Sequence, residues 1–345
     1  MKMYVFRVGM LTPLGINLPM TVAAVRAGIS AYSESEHIGK HDLPIKMARV
    51  PEDALPPLHE ELRLSQKLST FKKRLIQLSA HALLEACDYS MLKNPIPIFL
   101  AGPEPGVNGT AALDRDFLAS LKLQTGINFD LESSRILHLG RAGGFQAIEL
   151  AFKYIESTGQ DFVIVGGVDS YHDYLRLGHL DAEDRLLTAA TMDGFVPGEG
   201  AGFLLLMSET AAKRAKENIH TCIYRPGLAS EKGHLSSDEP YQGDGLAAAV
   251  RMALAHGDAA PVKAVYTSLN GEHYWGKELG VSLIRNQKAF SDSVTVEHPA
   301  DCFGDLGAAL GPVMIGLMGE NTKGHYLGYC SSDSQARSAV SVLVQ

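Results

Sequence analysis

Two stretches of the chain follow the same plan, in which glycines open an apolar, helix-like segment and a strand-like run follows it. The first covers residues 143–169 and the second covers residues 304–330. A further apolar run, at residues 202–206 and 339–344 respectively, closes each unit. Uninterrupted apolar runs of strand length that alternate with helical segments are typical of sheets covered on both faces. The repetition therefore predicts an internally duplicated α/β protein.

The duplication also suggests where the chain divides. The polar and charged stretch 208–218 lies between the two units. We therefore predict an N-terminal half at residues 1–212 and a C-terminal half at residues 213–345. Residues 33–69 are rich in Pro, Glu, His and Lys and show no sustained period. They predict a surface excursion from the first half, to which we assign no chemistry.

Charge and cysteine content limit the possible partners. Lys and Arg total 31 and Asp and Glu total 39, a net charge of −8 that argues against a general nucleic-acid binder. The first eleven residues carry Lys2 and Arg7 and soon reach Pro13, which is unlike a signal peptide or a membrane span. The four cysteines form no CxxC pair. We expect a cytoplasmic protein with reduced thiols, no metal, no cofactor, and neither nucleic acid nor membrane as a partner.

Three motifs together resemble the β-ketoacyl synthases, which are condensing enzymes of the thiolase fold. GMLTPLG at 9–15 is similar to their opening strand and turn, and GGVDS at 166–170 to the strand that follows the nucleophile helix. DGFVPGEGAG at 193–202 is the most specific match. The resemblance implies two similar halves in a five-layer αβαβα core, with a catalytic pocket where they meet.

The resemblance also shows where this chain departs from the family's catalytic pattern. The family places a nucleophilic Cys on the turn that opens the first buried helix, and Arg141 stands there in LGRAGG. A guanidinium stays protonated and cannot attack a thioester. Glu272 stands in the place of the first catalytic His in NGEHYWG, and Gly304 in the place of the second. We therefore predict no catalytic residue with confidence at these three positions.

Two elements that hold the substrate in the family also differ. The pantetheine-binding threonines correspond to Tyr274 and Gly276, with Trp275, the only tryptophan, between them. The stretch 330–337 takes the place of the family's glycine-rich loop near the C-terminus, and Pro299 takes the place of a Lys. A pocket between the halves would be lined by the following residues: His138, Phe195, His273, Tyr274, Trp275, Cys302 and Asp305.

Several readings of these residues stay open. Arg141 and Glu272 are expected to form a buried ion pair that plugs the old site, although Arg141 alone at a helix N-terminus could hold a carboxylate or phosphate. Cys302 is expected to be a buried thiol rather than a relocated nucleophile, because Pro299 argues against the helix that would bring His298 near it. His273 is either structural or a general base.

One further segment resembles a nucleotide site without matching it. Residues 271–277 nearly spell the phosphate loop GxxxxGK. Glu278 replaces the Ser or Thr that such a loop needs next, and large side chains fill the loop. We therefore expect no nucleotide-hydrolysing function.

These observations predict a β-ketoacyl-synthase-like pseudoenzyme that acts as a binding or assembly partner. The resemblance implies a homodimer, or a heterodimer with an active ketosynthase of fatty acid or polyketide biosynthesis, paired through the apolar strand at 161–168. A carrier protein is another possible partner. The NGE and ADCFGD motifs at 270–272 and 300–305 also resemble inactive chains associated with type VI secretion. The alternative is a divergent acyltransferase acting on acyl-ACP or acyl-CoA, with Glu272 or His273 as base and Arg141 as an electrostatic anchor.

Overall fold

Strands and helices alternate in the computed structural model, which describes residues 1–87, 94–106, 109–215 and 219–345. The strands in these ranges are β1 (Lys2–Leu11), β2 (Ser33–Ile38), β3 (Pro44–Met47), β4 (Ile98–Gly102), β5 (Arg135–His138), β6 (Phe162–Ser170), β7 (Glu199–Ser208), β8 (Thr221–Tyr224), β9 (Gly227–Ser230), β10 (Val262–Tyr266), β11 (Phe290–Glu297), β12 (Gly324–Ser331) and β13 (Ala336–Val344). The α-helices are α1 (Leu18–Arg26), α2 (Glu60–Leu64), α3 (Thr70–Ala86), α4 (Arg115–Thr125), α5 (Gly143–Thr158), α6 (Tyr174–Ala182), α7 (Glu209–Arg214), α8 (Asp244–His256), α9 (His273–Arg285), α10 (Ala300–Phe303) and α11 (Leu310–Gly319). Within these ranges, none of the helices has both the length and the apolar character needed to cross a lipid bilayer.

One long mixed sheet connects the two units. Its strand order is β11-β10-β12-β13-β8-β1-β7-β6-β4-β5, and β9 also pairs with β13. The short strand β8 is antiparallel to β1 on one side and to β13 on the other. The two half-sheets therefore share a continuous hydrogen-bonded ladder. The division at residue 212 stays a prediction, and β8 follows that position in the chain.

The helices form layers on both sides of the half-sheets. Helices α5 and α11 lie between them, in a buried cluster that includes Phe145, Val313 and Met314. Alternate residues of β6 point to opposite sides, with Val163 in this central cluster and Ile164 in the outer cluster under α3 and α4. A third cluster joins α8 and α9 to the C-terminal strands. This arrangement agrees with the predicted duplicated α/β plan and its five layers.

Residues 33–69 cover one end of the first half. They contain the two-stranded sheet of β2 and β3, and also α2. Ile45 and Met47 are buried against Leu177 and Leu180 of α6. The segment therefore packs on α6, close to the loops that follow β6.

The strand predicted at 161–168 is present as β6, but it lies in the interior of the sheet rather than at an edge. Here β6 pairs with β4 on one side and with β7 on the other. Its edges are occupied, so the prediction that it pairs across a two-fold axis is wrong. The physical reason is that a long apolar run is typical of an interior strand. The edge strand of this half is β5, which pairs with β4.

Candidate functional site

The candidate site is built around the N-terminal end of α5, which we call the head of the helix. A single 3-10 turn, Gly140–Ala142, leads into it, and Gly140 has a φ of 50°. Gly144 faces the other central helix, where an added Cβ would lie 2.6 Å from Pro312 Cδ. Glycine is therefore needed where α5 and α11 cross. This close approach places the Arg141 side chain between the two halves, where it is 3% exposed.

Arg141 is held by groups from the C-terminal half. Its Nε donates to the Ser331 carbonyl at 2.8 Å, and one terminal nitrogen donates to Asp305 Oδ2 at 2.5 Å. The other terminal nitrogen donates to Asp333. The guanidinium also lies 4.5 Å from the centre of the Trp275 ring. Burial acts to lower the pKa of Arg141, but Asp305 and Asp333 outweigh it, so the pKa lies well above its ordinary value.

Glu272 is paired with a different arginine. Both its carboxylate oxygens accept from Arg185, at 2.7 and 3.0 Å. Its Oε2 also accepts from Asn270 at 3.0 Å and from the Trp275 indole at 2.9 Å. The structure shows no direct ion pair between Arg141 and Glu272. That prediction is wrong in its partners, because Asp333 lies between two arginines and accepts from Arg185 at 2.8 Å as well.

A single network therefore joins the two predicted positions. Its charged members, which we call the Arg141 network, run in the order Asp305, Arg141, Asp333, Arg185 and Glu272. Burial acts to raise the pKa of Asp333, but the two arginines hold it below its ordinary value. The network is thus a continuous chain of ion pairs in which Asp333 joins the two arginines.

Sequence reasoning missed two members of this network, Arg185 and Asp333. Asp333 lies in the stretch 330–337, whose departure from the family loop was the available signal. Arg185 follows α6 in a segment with no recognisable motif. Ion-pair partners 148 residues apart, such as Arg185 and Asp333, leave no local pattern in the sequence.

Asp305 joins the heads of both central helices. Its Oδ1 accepts from the Gly307 N–H at 2.8 Å, at the turn that leads into α11. Its Oδ2 accepts from Arg141 and, at 3.0 Å, from Asn270. Asp305 was expected only to line the pocket. The structure instead makes it the anion that both halves share.

Three other expected pocket residues have mainly packing roles. Trp275 and Phe195 are buried, and the Phe195 ring lies 5.2 Å from that of Tyr171 and 5.5 Å from the Arg185 guanidinium. Gly304 has a φ of 73°, and a Cβ there would lie 2.8 Å from the Val196 carbonyl oxygen. The position therefore accommodates no side chain in this backbone.

His273 and Tyr274 lie nearer to solvent at the start of α9. The His273 side chain is 75% exposed, and its Nδ1 lies 2.8 Å from Asp193 Oδ1. The same carboxylate oxygen accepts from the His273 backbone N–H. A phosphate at this helix N-terminus would compete with Asp193, which explains physically why the near-match to a phosphate loop fails. Tyr274 donates to the Gly233 carbonyl at 2.6 Å, and burial raises its pKa to about 12.

Cys302 is a buried thiol, and burial raises its pKa. It lies in the short helix α10, which begins directly after Pro299. The expectation that Pro299 prevents this helix is therefore wrong, because proline is tolerated where the missing N–H has no helical partner. His298 precedes the helix and pairs with Asp301 at 2.7 Å. In the described ranges, no group of three His, Cys, Asp or Glu residues is arranged to hold a metal ion.

An open cleft reaches one end of the Arg141 network. It has a volume of about 790 Å³, and its lining includes Arg185, Glu272, Tyr274, Met192 and Asp193. Arg141 is not part of that lining and lies in the interior behind the Arg185–Glu272 pair. A molecule in the cleft would therefore meet a closed ion pair rather than a nucleophile.

The last site residue, His138, lies at the C-terminal end of β5. Its ring is half-buried and hydrogen-bonds the backbone of Pro103, and burial lowers its pKa. Its Nδ1 has no hydrogen-bond partner. It lies just before the turn that leads into α5.

Three kinds of comparison, with a family model, with curated proteins and with solved structures, give consistent matches. The family model "Beta-ketoacyl synthase, N-terminal domain" matches residues 141–212. The chain is 27% identical over 141 residues to 3-oxoacyl-[acyl-carrier-protein] synthase 2 of Staphylococcus aureus, covering 38% of this chain and 35% of that protein. It therefore spans about a third of the length of the curated relatives that it matches.

Solved structures match over the whole chain. The ishigamide ketosynthase/chain length factor gives a TM-score of 0.77 at 15% identity, covering 100% of this chain and 99% of that one. The ketosynthase ApeO in complex with its chain length factor ApeC, from Xenorhabdus doucetiae, gives 0.78 at 17% identity, covering 100% and 98%. At these identities the structural likeness establishes the fold. Together with the match to the family model at residues 141–212, it supports a thiolase-fold protein similar to the β-ketoacyl synthases.

Proposed function

We propose that this chain is a non-condensing, β-ketoacyl-synthase-like subunit that acts by binding a partner. The observation that carries the proposal is the state of Arg141, which is buried and paired at the head of α5. At that position a condensing enzyme needs a thiolate that attacks an acyl thioester. A guanidinium has no lone pair available for this step, and its donors are engaged by Ser331, Asp305 and Asp333.

The alternative, a divergent acyltransferase, has less support. Glu272 would have to act as a base, but its oxygens accept four hydrogen bonds from Arg185, Asn270 and Trp275. These donors occupy both carboxylate oxygens, so Glu272 is poorly placed to take a proton from a substrate. His273 is exposed and paired with Asp193, and it does not line the cleft that Glu272 lines.

The partner that the fold favours is an active ketosynthase. One similar solved structure is a ketosynthase in complex with its chain length factor, and we transfer that mode of assembly to this chain as part of the proposal. A carrier protein and a secretion component are the other candidate partners. The four cysteines are all free and buried, which supports a reducing compartment, and we propose the cytoplasm.

The N-terminal half offers a surface for such a partner. Tyr174 and Leu175, at the start of α6, are 76% and 81% exposed. They follow the C-terminal end of β6, which is parallel to β4, and β4 is parallel to β5. The exposed apolar pair and the edge strand β5 therefore belong to the same end of one half-sheet. A cluster of exposed apolar side chains can mark a protein–protein interaction site.

The chemical part of the proposal is tested with thioesters. Purified protein is incubated with acyl-ACP, acyl-CoA and malonyl-ACP, and intact mass and released products are followed. We expect no acyl adduct and no condensation, whereas an authentic ketosynthase in parallel gives both. The Cys302→Ser variant controls for adventitious acylation of that thiol. A stable adduct that survives this substitution, or turnover that His273→Ala abolishes, would establish the acyltransferase instead.

The partner is tested by native mass spectrometry after co-purification from the native host. We expect a complex that contains a ketosynthase bearing its catalytic Cys. Leu175→Arg should weaken the complex at least tenfold. Ile284→Arg is the matched control, because Ile284 is 72% exposed on α9 in the other half. Equal affinity of both variants would exclude the α6 surface, and a secretion component in the complex would replace the ketosynthase as partner.

A further inference from the structure

A loop beside the head of α5 is held by two titratable side chains. Residues 103–106 follow β4 and read Pro-Glu-Pro-Gly. His138, at the end of β5, hydrogen-bonds the Pro103 backbone. On the other side of the loop, Glu104 Oε1 accepts from the Ser334 hydroxyl at 3.2 Å. The loop therefore connects the N-terminal half with the turn of the C-terminal half that carries Asp333.

Glu104 also packs directly on the turn that precedes α5. An added Cβ at Gly140 would lie 2.9 Å from the Glu104 Cγ. Gly140 has no side chain and so leaves room for the glutamate beside Arg141.

Glu104 has no arginine of its own. The surrounding guanidiniums are already paired with carboxylates: Arg141 with Asp305 and Asp333, Arg185 with Glu272 and Asp333, and Arg176 with Asp169. Three guanidinium charges therefore face four carboxylates before Glu104 is counted. A fifth carboxylate at Glu104 would add to an existing negative excess, which favours the protonated form of this side chain.

The charged groups that face Glu104 come from three elements. Asp333 lies on the turn 331–335, Arg141 at the head of α5, and Arg176 on α6. Burial and then Asp333 act to raise the pKa of Glu104, and Arg141, the Ser334 backbone N–H and Arg176 oppose them less effectively, so the pKa lies above its ordinary value. Because the folded pKa is raised, the stabilising contribution is complete at acid pH and is lost as the pH rises through that value.

We propose that residues 103–106 form a pH-sensitive latch over the Arg141 network. With Glu104 protonated, the loop closes on Ser334 and joins the two halves. With Glu104 ionised, its carboxylate is repelled by Asp333 and is stabilised by hydration. The loop therefore moves away and exposes the head of α5 to solvent. The proton is exchanged with bulk water, so the step needs no other reactant. This inference does not depend on the proposed function, because the latch would act in an acyltransferase equally.

Trp275 gives this latch a built-in reporter. It is the only tryptophan in the chain, it is buried, and its ring stacks on Arg141. Water that reaches the head of α5 would therefore change the environment of this indole. Fluorescence excited at the indole band and quenched by acrylamide measures that access.

The experiment is a titration of the full chain from about pH 4.5, just above the ordinary Glu value, to pH 9. In the wild type we expect acrylamide quenching of Trp275 to rise at least twofold through one transition. Glu104→Gln keeps the shape and stays neutral, so quenching should remain low across the range. Glu132→Gln, at an exposed position, is the matched control and should titrate like the wild type.

A second variant separates the two titratable groups. Because burial lowers the pKa of His138, its protonation is confined to the acid side, and His138→Gln should leave the alkaline transition in place. The melting temperature of each variant at both ends of the pH range verifies folding. At alkaline pH, Glu104→Gln should melt at a higher temperature than the wild type. A flat wild-type titration, or a Glu104→Gln variant that keeps the wild-type transition, would overturn the proposal.

Discussion

The heads of the two central helices, α11 and α5, carry side chains of opposite charge. At α11, carboxylates accept directly from the turn: Asp169 Oδ2 from the Ala308 N–H at 2.9 Å and Asp305 Oδ1 from Gly307. Negative groups are favourable at a helix N-terminus. At α5 the chain places a cation, Arg141, which is unfavourable there unless anions accompany it.

Each head is completed by the other half of the molecule. Asp169, on β6 of the N-terminal half, caps the turn before α11. Asp305 and Asp333, in the C-terminal half, neutralise Arg141. The difference teaches that carboxylates stabilise the α11 head directly, whereas the α5 head needs carboxylates from the other half to offset a buried positive charge. The second arrangement is expected to be the more fragile when one member is removed.

The largest effect is expected from removing the cation. Arg141→Met leaves Asp305 without its cation and leaves Asp333 paired with Arg185 alone. Loss of one member of a buried ion pair typically costs about 3–5 kcal/mol. Urea denaturation should show this loss in the free energy of unfolding. Arg214→Met, at an exposed pair with Asp161, is the control and should cost less than about 1 kcal/mol. Equal costs would contradict the comparison.

At the α11 head, the matching change should cost less. Asp169→Asn keeps the shape of the side chain but removes the charge that caps Ala308 and pairs with Arg176. Arg176 is about a quarter exposed, so water can replace part of the lost partner. The expected cost is about 1.5–3 kcal/mol, in the range of hydrogen bonds to charged groups. A cost above that of Arg141→Met would reverse the ranking of the two heads.

The shared anion sharpens the comparison further. Arg141→Met and Asp305→Asn remove the two ends of one contact, so their costs should not add. The double variant should be more stable than the sum of the single variants predicts, by about 0.5–3 kcal/mol. The pair Arg141→Met and Asp161→Asn is the additive control, since Asp161 pairs with the exposed Arg214. Additivity in both pairs would show that Asp305 does not couple the heads.

The smallest effect is the pH dependence of the α5 head. The lowered pKa of Asp333 means that its contribution is present above the ordinary Asp value of about 3.9 and is lost as the pH falls through the folded value. Asp333→Asn should therefore lower the melting temperature more at pH 7 than at pH 3. Melting curves measured by circular dichroism at both values test this. An equal shift at both would mean that Asp333 acts through packing alone.

Much of the fold follows from patterns that the sequence displays. Gly159 ends α5 with a φ of 68°, and the run after it forms β6, as the spacing predicts. The α/β class and the duplicated plan are both confirmed. What the pattern does not determine is which edges of β6 are occupied, because an apolar run reports burial of its two faces and not its neighbours. For this reason the strand was predicted correctly and its dimer role wrongly.

The candidate site was predictable in position more than in partners. Arg141 and Glu272 stand out because they fall inside motifs that otherwise match a family. Their true partners do not, since the contact between Arg185 and Asp333 depends on how the turn 331–335 reaches across the interface. Whether Glu272 pairs with Arg141 or with Arg185 depends on differences of a few ångströms in the folded structure. The spacing of residues along the chain does not determine such distances.

The bridging strand β8 has a consequence for how the molecule comes apart. Ile223 of β8 pairs with Met3 of β1 on one side and with Val342 of β13 on the other. The four residues of β8 therefore join the two half-sheets into one continuous sheet. Thermal unfolding of either half-sheet must also break the hydrogen bonds between β8 and the other half-sheet. Calorimetry should thus record one cooperative peak in place of two.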